Sequence, residues 1–151
     1  MSGGNTSAPV ASTFAWLADL PSLPSRSKVR CLGHIVEYDL KGSCALLEHT
    51  YPTSADITRI WLDVNLVLES TDRLVLQPGN WINVIGYVQN PAPAHLQKSS
   101  LAVKSTVSTT SLQAILVWDA GSIHLEEYER TMEEHKRVQR EVKTVRRAQC
   151  S

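Results

Sequence analysis

The sequence predicts an all-β core, a five-stranded OB-fold barrel with a short N-terminal helix and a long C-terminal helix. Five β-rich segments lie between residues 28 and 118, whereas a β-sandwich needs about seven strands. A long connection separates the fourth segment from the fifth, as in an OB barrel. After Gly121 the apolar period changes from two residues to three or four, which indicates a helix. An SH3-like barrel also has five strands, but these segments are longer and the terminal helix is too large for it.

The composition fits one domain without a membrane span. The chain has 151 residues, 42% of them apolar, and its 15 Lys and Arg balance its 15 Asp and Glu. No apolar run approaches the roughly 18 residues that cross a bilayer. The neutral balance argues against a nucleic-acid binder that depends on charge alone. The three cysteines form no C-x-x-C pair and residues 1–12 carry no basic residue, so we expect a reducing compartment, the cytosol or the nucleus.

The N-terminal segments flank the barrel. Residues 1–12 predict a flexible tail, because Gly, Ser, Thr and Ala offer little apolar surface to offset the entropy of ordering. Residues 13–20 predict a short helix that Pro21 ends, and this helix would place Phe14, Leu17 and Ala18 on one face. The expected division of the chain is a tail (1–12), an OB-fold barrel with its N-terminal helix (13–123) and a C-terminal interaction helix (124–148).

The five predicted strands follow one another through the middle of the chain. Turn residues at 39–43 join the first two strands into a hairpin. Gly33 is where the long first strand could bend around a small barrel. Residues 90–111, which contain no acid, are expected to be partly a loop and partly an extension of the neighbouring strands. The predicted strands cover residues 28–38, 44–49, 58–68, 81–88 and 112–118.

The last segment predicts one long amphipathic helix. Five of the six acids after Gly121 precede Lys136, and six of the seven bases come from there on, an order that the helix dipole favours. A helix over residues 123–147 would be about 36 Å long, and a small domain is only about 30 Å across, so the helix must overhang its barrel. Its apolar stripe therefore predicts a partner helix, with a solvated, fraying tail as the alternative. The stripe comprises Leu125, Tyr128, Met132, His135, Gln139 and Val142.

The sequence shows no catalytic constellation, so neither an enzyme nor a cofactor is expected. The motifs GxSxG, HExxH and GxxxxGK[ST] are absent. One candidate metal set exists, Cys31, His34, Cys44 and His49, with two residues on each strand of the predicted hairpin. A spacing of three puts Cys31 and His34 on opposite faces of a strand unless a bulge intervenes. Zinc is therefore disfavoured, and buried cysteines with surface histidines are the preferred interpretation.

Nucleic-acid contact is a further possibility for the barrel. OB barrels bind single strands by stacking bases on exposed aromatic residues beside a basic groove. Trp61 and Tyr87 are equally typical of core or interface residues, and Glu48 and Asp63 dilute any groove. Tight binding by this chain alone is therefore disfavoured, and binding together with partners is favoured. The candidate residues are Lys28, Arg30, Arg59, Trp61, Tyr87, Lys98 and Lys104.

Six runs of the sequence, in order, resemble a known family, the fungal form of Ten-one (Ten1). This family comprises the small OB-fold subunits of the telomere-capping CST complex. The resemblance covers about residues 20–138, which is far more specific than one short motif. The runs are LPSLP (20–24), KVRCLG (28–33), LEHTYP (47–52), LDVNLVLE (62–69), NWINVIGYV (80–88) and LQAILVW (112–118).

The resemblance implies a non-catalytic subunit that pairs with a second OB-fold subunit, Stn-one (Stn1), much as the two smaller subunits of replication protein A pair. In such pairs the C-terminal helices pack together, which would place Leu125, Tyr128, Met132, His135 and Val142 at the interface, with Arg30 as a first-strand contact. The implied work is protection of the single-stranded telomeric end in the nucleus, in a complex with a third, large subunit. It includes limiting telomerase and supporting fill-in synthesis by polymerase alpha and primase. A replication-type protein that binds single strands directly is the alternative function.

Overall fold

The computed structural model describes residues 11–51, 57–97 and 109–150, and the strands among them form a single sheet. The sheet begins with a strand of two residues near the N-terminus, and the last strand leads into a helix of 26 residues. The elements are β1 (Thr13–Phe14), a 3₁₀ helix (Leu17–Ser22), β2 (Lys28–Asp39), β3 (Cys44–Glu48), β4 (Arg59–Asp63), a 3₁₀ helix (Asn65–Val67), β5 (Trp81–Gln89), α1 (Ala94–Gln97), β6 (Ser111–Asp119) and α2 (Leu125–Cys150).

Strands β2 to β6 close into a barrel. Their order is β2-β3-β4-β6-β5, and β5 pairs with β2 to complete the circle. Only β4 and β6 run parallel within this circle. Strand β2 pairs with β5 over its first part and with β3 over its second, changing partners at His34. The predicted five-stranded OB barrel is confirmed, because this strand order and the crossover between β5 and β6 are those of the OB fold.

The barrel core is continuous from one end to the other. Alternate residues of each strand point inward, as Val29, Cys31 and Ile35 do in β2. The first 3₁₀ helix adds Leu17 and Leu20, which are fully buried. The connection between β4 and β5 closes another part of the core with Val67 and Leu76. Each fully buried aliphatic side chain contributes about 1.5–3 kcal/mol relative to exposure, so both segments are firmly attached to the barrel.

The predicted N-terminal helix is wrong in type and position. Thr13 and Phe14 form β1, which pairs in parallel with Val29 and Arg30 of β2. The turn that follows is a 3₁₀ helix, and Ala18 is exposed. A 3₁₀ helix has about three residues per turn, so Leu17 and Leu20 share its buried side and Ala18 does not. The Trp16 amide donates to the Asp19 carboxylate at 3.0 Å, which fixes the first turn.

Two features of the predicted strands need correction. The sequence predicts the third strand over residues 58–68, but β4 ends at Asp63. The Asp63 carboxylate accepts a hydrogen bond from the Asn65 amide at 3.0 Å, which turns the chain into a 3₁₀ helix. The register of β2 shifts between Ile35 and Glu37, three residues beyond the bend expected at Gly33. The predicted C-terminal helix is confirmed as α2. Of the predicted tail and long connection, residues 1–10 and 98–108 lie outside the described residues.

Candidate partner and nucleic-acid interfaces

The first part of α2, residues 125–136, contacts its own barrel through three polar pairs, and we call it the docked half. The three residues concerned, Glu129, Glu133 and Lys136, lie about one turn apart on one side of the helix. Their partners come from the segment after β3 and from the first 3₁₀ helix. The pairs are His49 Nε2 with Glu129 Oε1 at 3.3 Å, the Tyr51 hydroxyl donating to Glu133 Oε2 at 3.4 Å, and Lys136 Nζ with Asp19 Oδ2 at 2.5 Å.

An aromatic layer lies between the docked half and the barrel. It is a chain of ring contacts that begins on α2 with Tyr128, continues through β1 and ends on β2 and β5. Such edge-to-face and tilted pairs add about 0.5–1.5 kcal/mol each beyond the area that they bury. The ring centroids are separated by 6.2 Å for Tyr128–Phe14, 4.9 Å for Phe14–Trp16, 4.5 Å for Trp16–Tyr51, 5.7 Å for Trp16–His49, 5.4 Å for His49–Trp81 and 5.0 Å for Trp81–His34.

Burial changes the protonation of two groups in this layer. Burial lowers the pKa of His49 below its ordinary value, and the hydrogen bond and charge of Glu129 oppose that effect only in part. Burial also raises the pKa of Tyr128 to about 12. At neutral pH both side chains are therefore uncharged, and the helix is held by packing of neutral rings and by the polar pairs at their edge.

The predicted stripe of α2 divides between two environments. Leu125, Met132 and Gln139 recur every seven residues on one side of the helix and are partly buried, as is Tyr128. The two remaining residues of the stripe are exposed: His135, and Val142 with 43% of its surface accessible to solvent. Of the five predicted partner residues on the helix, two are therefore open to solvent, and three lie partly against the chain itself.

Three valines form the apolar face that α2 leaves exposed, and we call Val138, Val142 and Val145 the valine stripe. Their exposures are 46%, 43% and 54%, and with Glu141 and Arg146 they line a hollow of about 430 Å³. Their spacings of four and three residues place them on one face of a helix. Sequence reasoning included only Val142, although the same spacing of 138 and 145 was available as a signal.

Arg30, the predicted first-strand contact, lies on the outer surface of β2. It is exposed, and its guanidinium carbon lies 5.2 Å from the centroid of the Trp118 ring, a cation–π arrangement. Arg30 faces Ile85 across the sheet, and Ile85 faces Leu116, which is 51% exposed. The surface around Arg30 is therefore mixed, with one cation among apolar side chains.

The outer surface of β3 and β4, where OB folds usually bind their ligands, is covered by the chain's own β5–β6 connection. Trp61 is only 3% exposed and packs with Leu46, Ala92 and Leu96 in a second apolar cluster. The Ala92 amide donates to the Thr109 carbonyl, which joins the two described ends of the connection. With this cover in place, the Trp61 ring is not available for stacking on a base.

The other candidate nucleic-acid residues do not converge on that surface. Arg59 is paired with Glu48, with 2.8 Å between Nε and Oε2. Lys28 and Tyr87 face each other across β2 and β5, on a different side of the barrel from β4. Lys98 and Lys104 lie outside the described residues. Among described residues, the surface of β3 and β4 therefore combines a buried aromatic ring with a neutralised cation.

The candidate metal set is also dispersed. Cys31 belongs to the cluster inside the barrel, whereas Cys44 belongs to the cluster on its outer surface. Burial raises the pKa of the Cys31 thiol to about 12, so it is protonated. No group of three or more His, Cys, Asp or Glu side chains among the described residues could hold a metal ion. None of the described helices combines the length and the apolar character that a membrane crossing requires.

The fold and these surfaces define the class of protein. This is an OB-fold protein whose long C-terminal helix exposes an apolar face and whose usual ligand surface is covered by its own chain. The family model of Ten1, described as telomere capping, CST complex subunit, matches residues 4–133. The chain belongs to the Ten1 family, and the family predicted from the six sequence runs is confirmed. The match ends within the docked half of α2, so the valine stripe lies beyond it.

Among the solved structures that share the fold are two of Ten1 proteins or their complexes. One is a chain of the S. pombe Stn1–Ten1 complex, with a TM-score of 0.60 and 16% identity over 85% of this chain and 94% of that one. The other is the telomere capping protein Ten1 from S. pombe, with a TM-score of 0.58 and 16% identity over 84% of this chain and 99% of that one. No curated protein matches the sequence. These structures show the fold, and the family model shows the family.

Proposed function

We propose that this chain is a non-catalytic subunit of a telomere-capping CST complex and that it forms a heterodimer with an Stn1-type OB-fold subunit. Its family supports the first part, and the S. pombe relative that is solved as an Stn1–Ten1 complex supports the second. It works in the nucleus at the chromosome end, in a complex with the third, large subunit. Contact with single-stranded telomeric DNA is mainly through the complex, and contact with polymerase alpha and primase is indirect.

The observation that carries this proposal is the exposed valine stripe on the far half of α2. A helix of 26 residues is about 39 Å long, and among the described residues the three polar pairs that dock it on the barrel all come from residues 125–136. Beyond that point three valines expose apolar surface to water on one face. Burying each of these side chains would contribute about 1.5–3 kcal/mol to the free energy of association. A second helix packed along this face provides that burial.

The partner surface that we propose centres on His135 and Val142 and extends to Val138 and Val145. Arg30 contributes from β2, since its exposed side chain lies over the Trp118 ring. The other three predicted helix residues differ from the prediction of a helix–helix contact, because they lie partly against the barrel. They are Leu125, Tyr128 and Met132. Their role is to orient α2, and a substitution at Met132 would disturb docking and partner binding together.

A double substitution on the valine stripe tests the heterodimer. In Val138→Asp/Val142→Asp, two carboxylates would be buried in an apolar interface, so we expect affinity for an Stn1-type subunit to fall by about 2 kcal/mol or more, roughly 30-fold. The affinity is measured by calorimetric titration of the purified chain with that subunit. The unfolding temperature should be unchanged, because both valines are exposed in the isolated chain.

Leu40→Asp is the matched control. Leu40 is 72% exposed on the turn between β2 and β3, far along the chain from α2, so the same change from apolar to charged should leave partner affinity as it is. A double variant that binds the Stn1-type subunit as tightly as the natural chain would contradict the proposed interface.

A further inference from the structure

A groove on the barrel side of α2 collects positive charge. It lies between the helix and the N-terminal segment and has a volume of about 510 Å³. Four cations line it, and Asp19 is the one acid among its described lining residues. The cations are Lys28, Lys136, Arg140 and Lys143. We call this feature the cationic groove.

The cations of the cationic groove differ in whether a nearby carboxylate neutralises them. Lys136 is paired with Asp19, so these two groups neutralise each other. Arg140 and Lys143 are exposed and have no carboxylate within ion-pair distance among the described residues. The groove therefore keeps at least the two positive charges of Arg140 and Lys143 in a chain whose total charge is zero, and Lys28 adds a third cation that has a partner of its own. Such a local excess attracts anions in a way that the overall composition does not indicate.

The floor of the cationic groove is apolar. Leu23 lines it and is partly exposed, whereas Phe14 and Val29, which also border it, are almost fully buried. Cationic side chains along an open groove suit the backbone of an extended polyanion, and a single-stranded nucleic acid has such a backbone. The volume is far too small to admit a duplex.

The cationic groove stays open when the valine stripe is covered. At 100° per residue, Lys143 lies roughly 100–160° around α2 from the three valines, so the groove and the stripe face different directions. A partner helix that packs along the three valines therefore leaves the Lys143 side of the groove accessible. The same helix can therefore serve two ligands at once.

We infer that the cationic groove binds the phosphate backbone of single-stranded DNA, and that it replaces the covered surface of β3 and β4 as the DNA contact of this chain. The choice of DNA among polyanions rests on the proposed telomeric function. Lys28, predicted from the sequence as a DNA contact, belongs to this groove, whereas Arg59 and Trp61 do not. The sequence pattern does not predict Lys136, Arg140 and Lys143 as contacts, because bases near the end of a helix are already explained by its dipole.

The test is a salt titration of the full chain with a fluorescein-labelled single-stranded oligothymidylate, repeated for Arg140→Glu/Lys143→Glu. For the natural chain we expect log affinity to fall against log salt with a slope of about −2, as for about three neutralised phosphates. The double variant should bind at least about tenfold more weakly at low salt, and its slope should approach zero. Lys41→Glu/Arg73→Glu reverses two charges elsewhere on the barrel and should bind like the natural chain.

Three results would overturn the inference: no binding by the natural chain at low salt, equal weakening in the control variant, or an unchanged affinity in the groove variant. Partner binding is measured in parallel with the Stn1-type subunit. The groove variant should keep that affinity, and its loss would place the groove inside the protein interface and overturn the inference as well. Failure of the valine-stripe variant to lose the partner would instead count only against the proposed heterodimer.

Discussion

Gly86 occupies the point where β5 and β6 approach most closely. The register between these strands shifts between Ile85 and Gly86, and a Cβ on Gly86 would lie 3.0 Å from the Gln113 carbonyl carbon and 3.2 Å from the Ala114 Cα. Both neighbours are backbone atoms, which cannot move without disturbing the ladder. Gly33 differs, because its Cβ would meet the end of the Leu17 side chain at 3.1 Å. A side-chain end can turn aside, so the two glycines restrict substitution to different degrees.

Gly86→Ala should therefore destabilise the barrel far more than Gly33→Ala. Overpacking against backbone at Gly86 is expected to cost about 3 kcal/mol or more, whereas Gly33→Ala is expected to cost about 1 kcal/mol, since Leu17 can relax. Unfolding in urea, followed by tryptophan fluorescence, measures both values. The prediction fails if the two variants unfold at the same urea concentration.

Helix α2 is one continuous element with two unlike halves. Residues 125–136 pack on the aromatic layer and make the three polar pairs, whereas almost every side chain described after Lys136 is exposed. The pair of His49 with Glu129 lies deepest, because His49 is only 3% exposed. Attachment of the helix thus depends on a histidine that is uncharged when buried.

Acidification should loosen the docked half through His49. Its pKa in the folded chain is lowered by burial from the ordinary 6.5, so the unfolded chain binds more protons below that pH. The stabilising contribution is complete above 6.5 and is lost as the pH falls toward the lowered value. We expect the unfolding temperature to drop by a few degrees between about pH 7.5 and about pH 5.5.

His49→Phe and His135→Gln separate this effect from general acid destabilisation. Phenylalanine keeps an aromatic ring in the layer but does not titrate, so His49→Phe should show a smaller drop over the same pH range. His135 is exposed and bonds only to Gln139 among the described residues, so its replacement should leave the drop unchanged. Equal drops in all three proteins would exclude His49 as the responsible group.

The sequence predicts elements well where the signal is local. Alternation located the barrel strands, and the change of period located α2. Sequence patterns do not predict the burial of a side chain where a segment distant along the chain covers it. Trp61 alternates outward as expected, but Ala92 and Leu96, some thirty residues later, cover it. Likewise the spacing of Met132 places it on a stripe, but only the position of the barrel shows that this side faces inward and that Val138 and Val145 face solvent.

The complete chain presents two surfaces of opposite physical character on one helix. The valine stripe is apolar, and its association with a partner would be driven by removal of apolar surface from water. The cationic groove is charged, and its association with DNA would be driven by release of counterions. Both surfaces lie on the half of α2 that follows Lys136, with the valine stripe on one side of the helix and the cationic groove on the side that faces the N-terminal segment.

Salt should therefore separate the two activities of the proposed heterodimer. Raising salt from about 50 mM to about 500 mM should weaken oligothymidylate binding by about a hundredfold, given a slope near −2. The same change should leave affinity for the Stn1-type subunit nearly constant, because burial of valines does not release ions and exclusion of salt from apolar surface slightly favours it. Both affinities can be measured on one preparation by fluorescence anisotropy. A partner affinity that falls in parallel with DNA affinity would show that charge, and not the valine stripe, holds the heterodimer together, and would place the cationic groove at its centre.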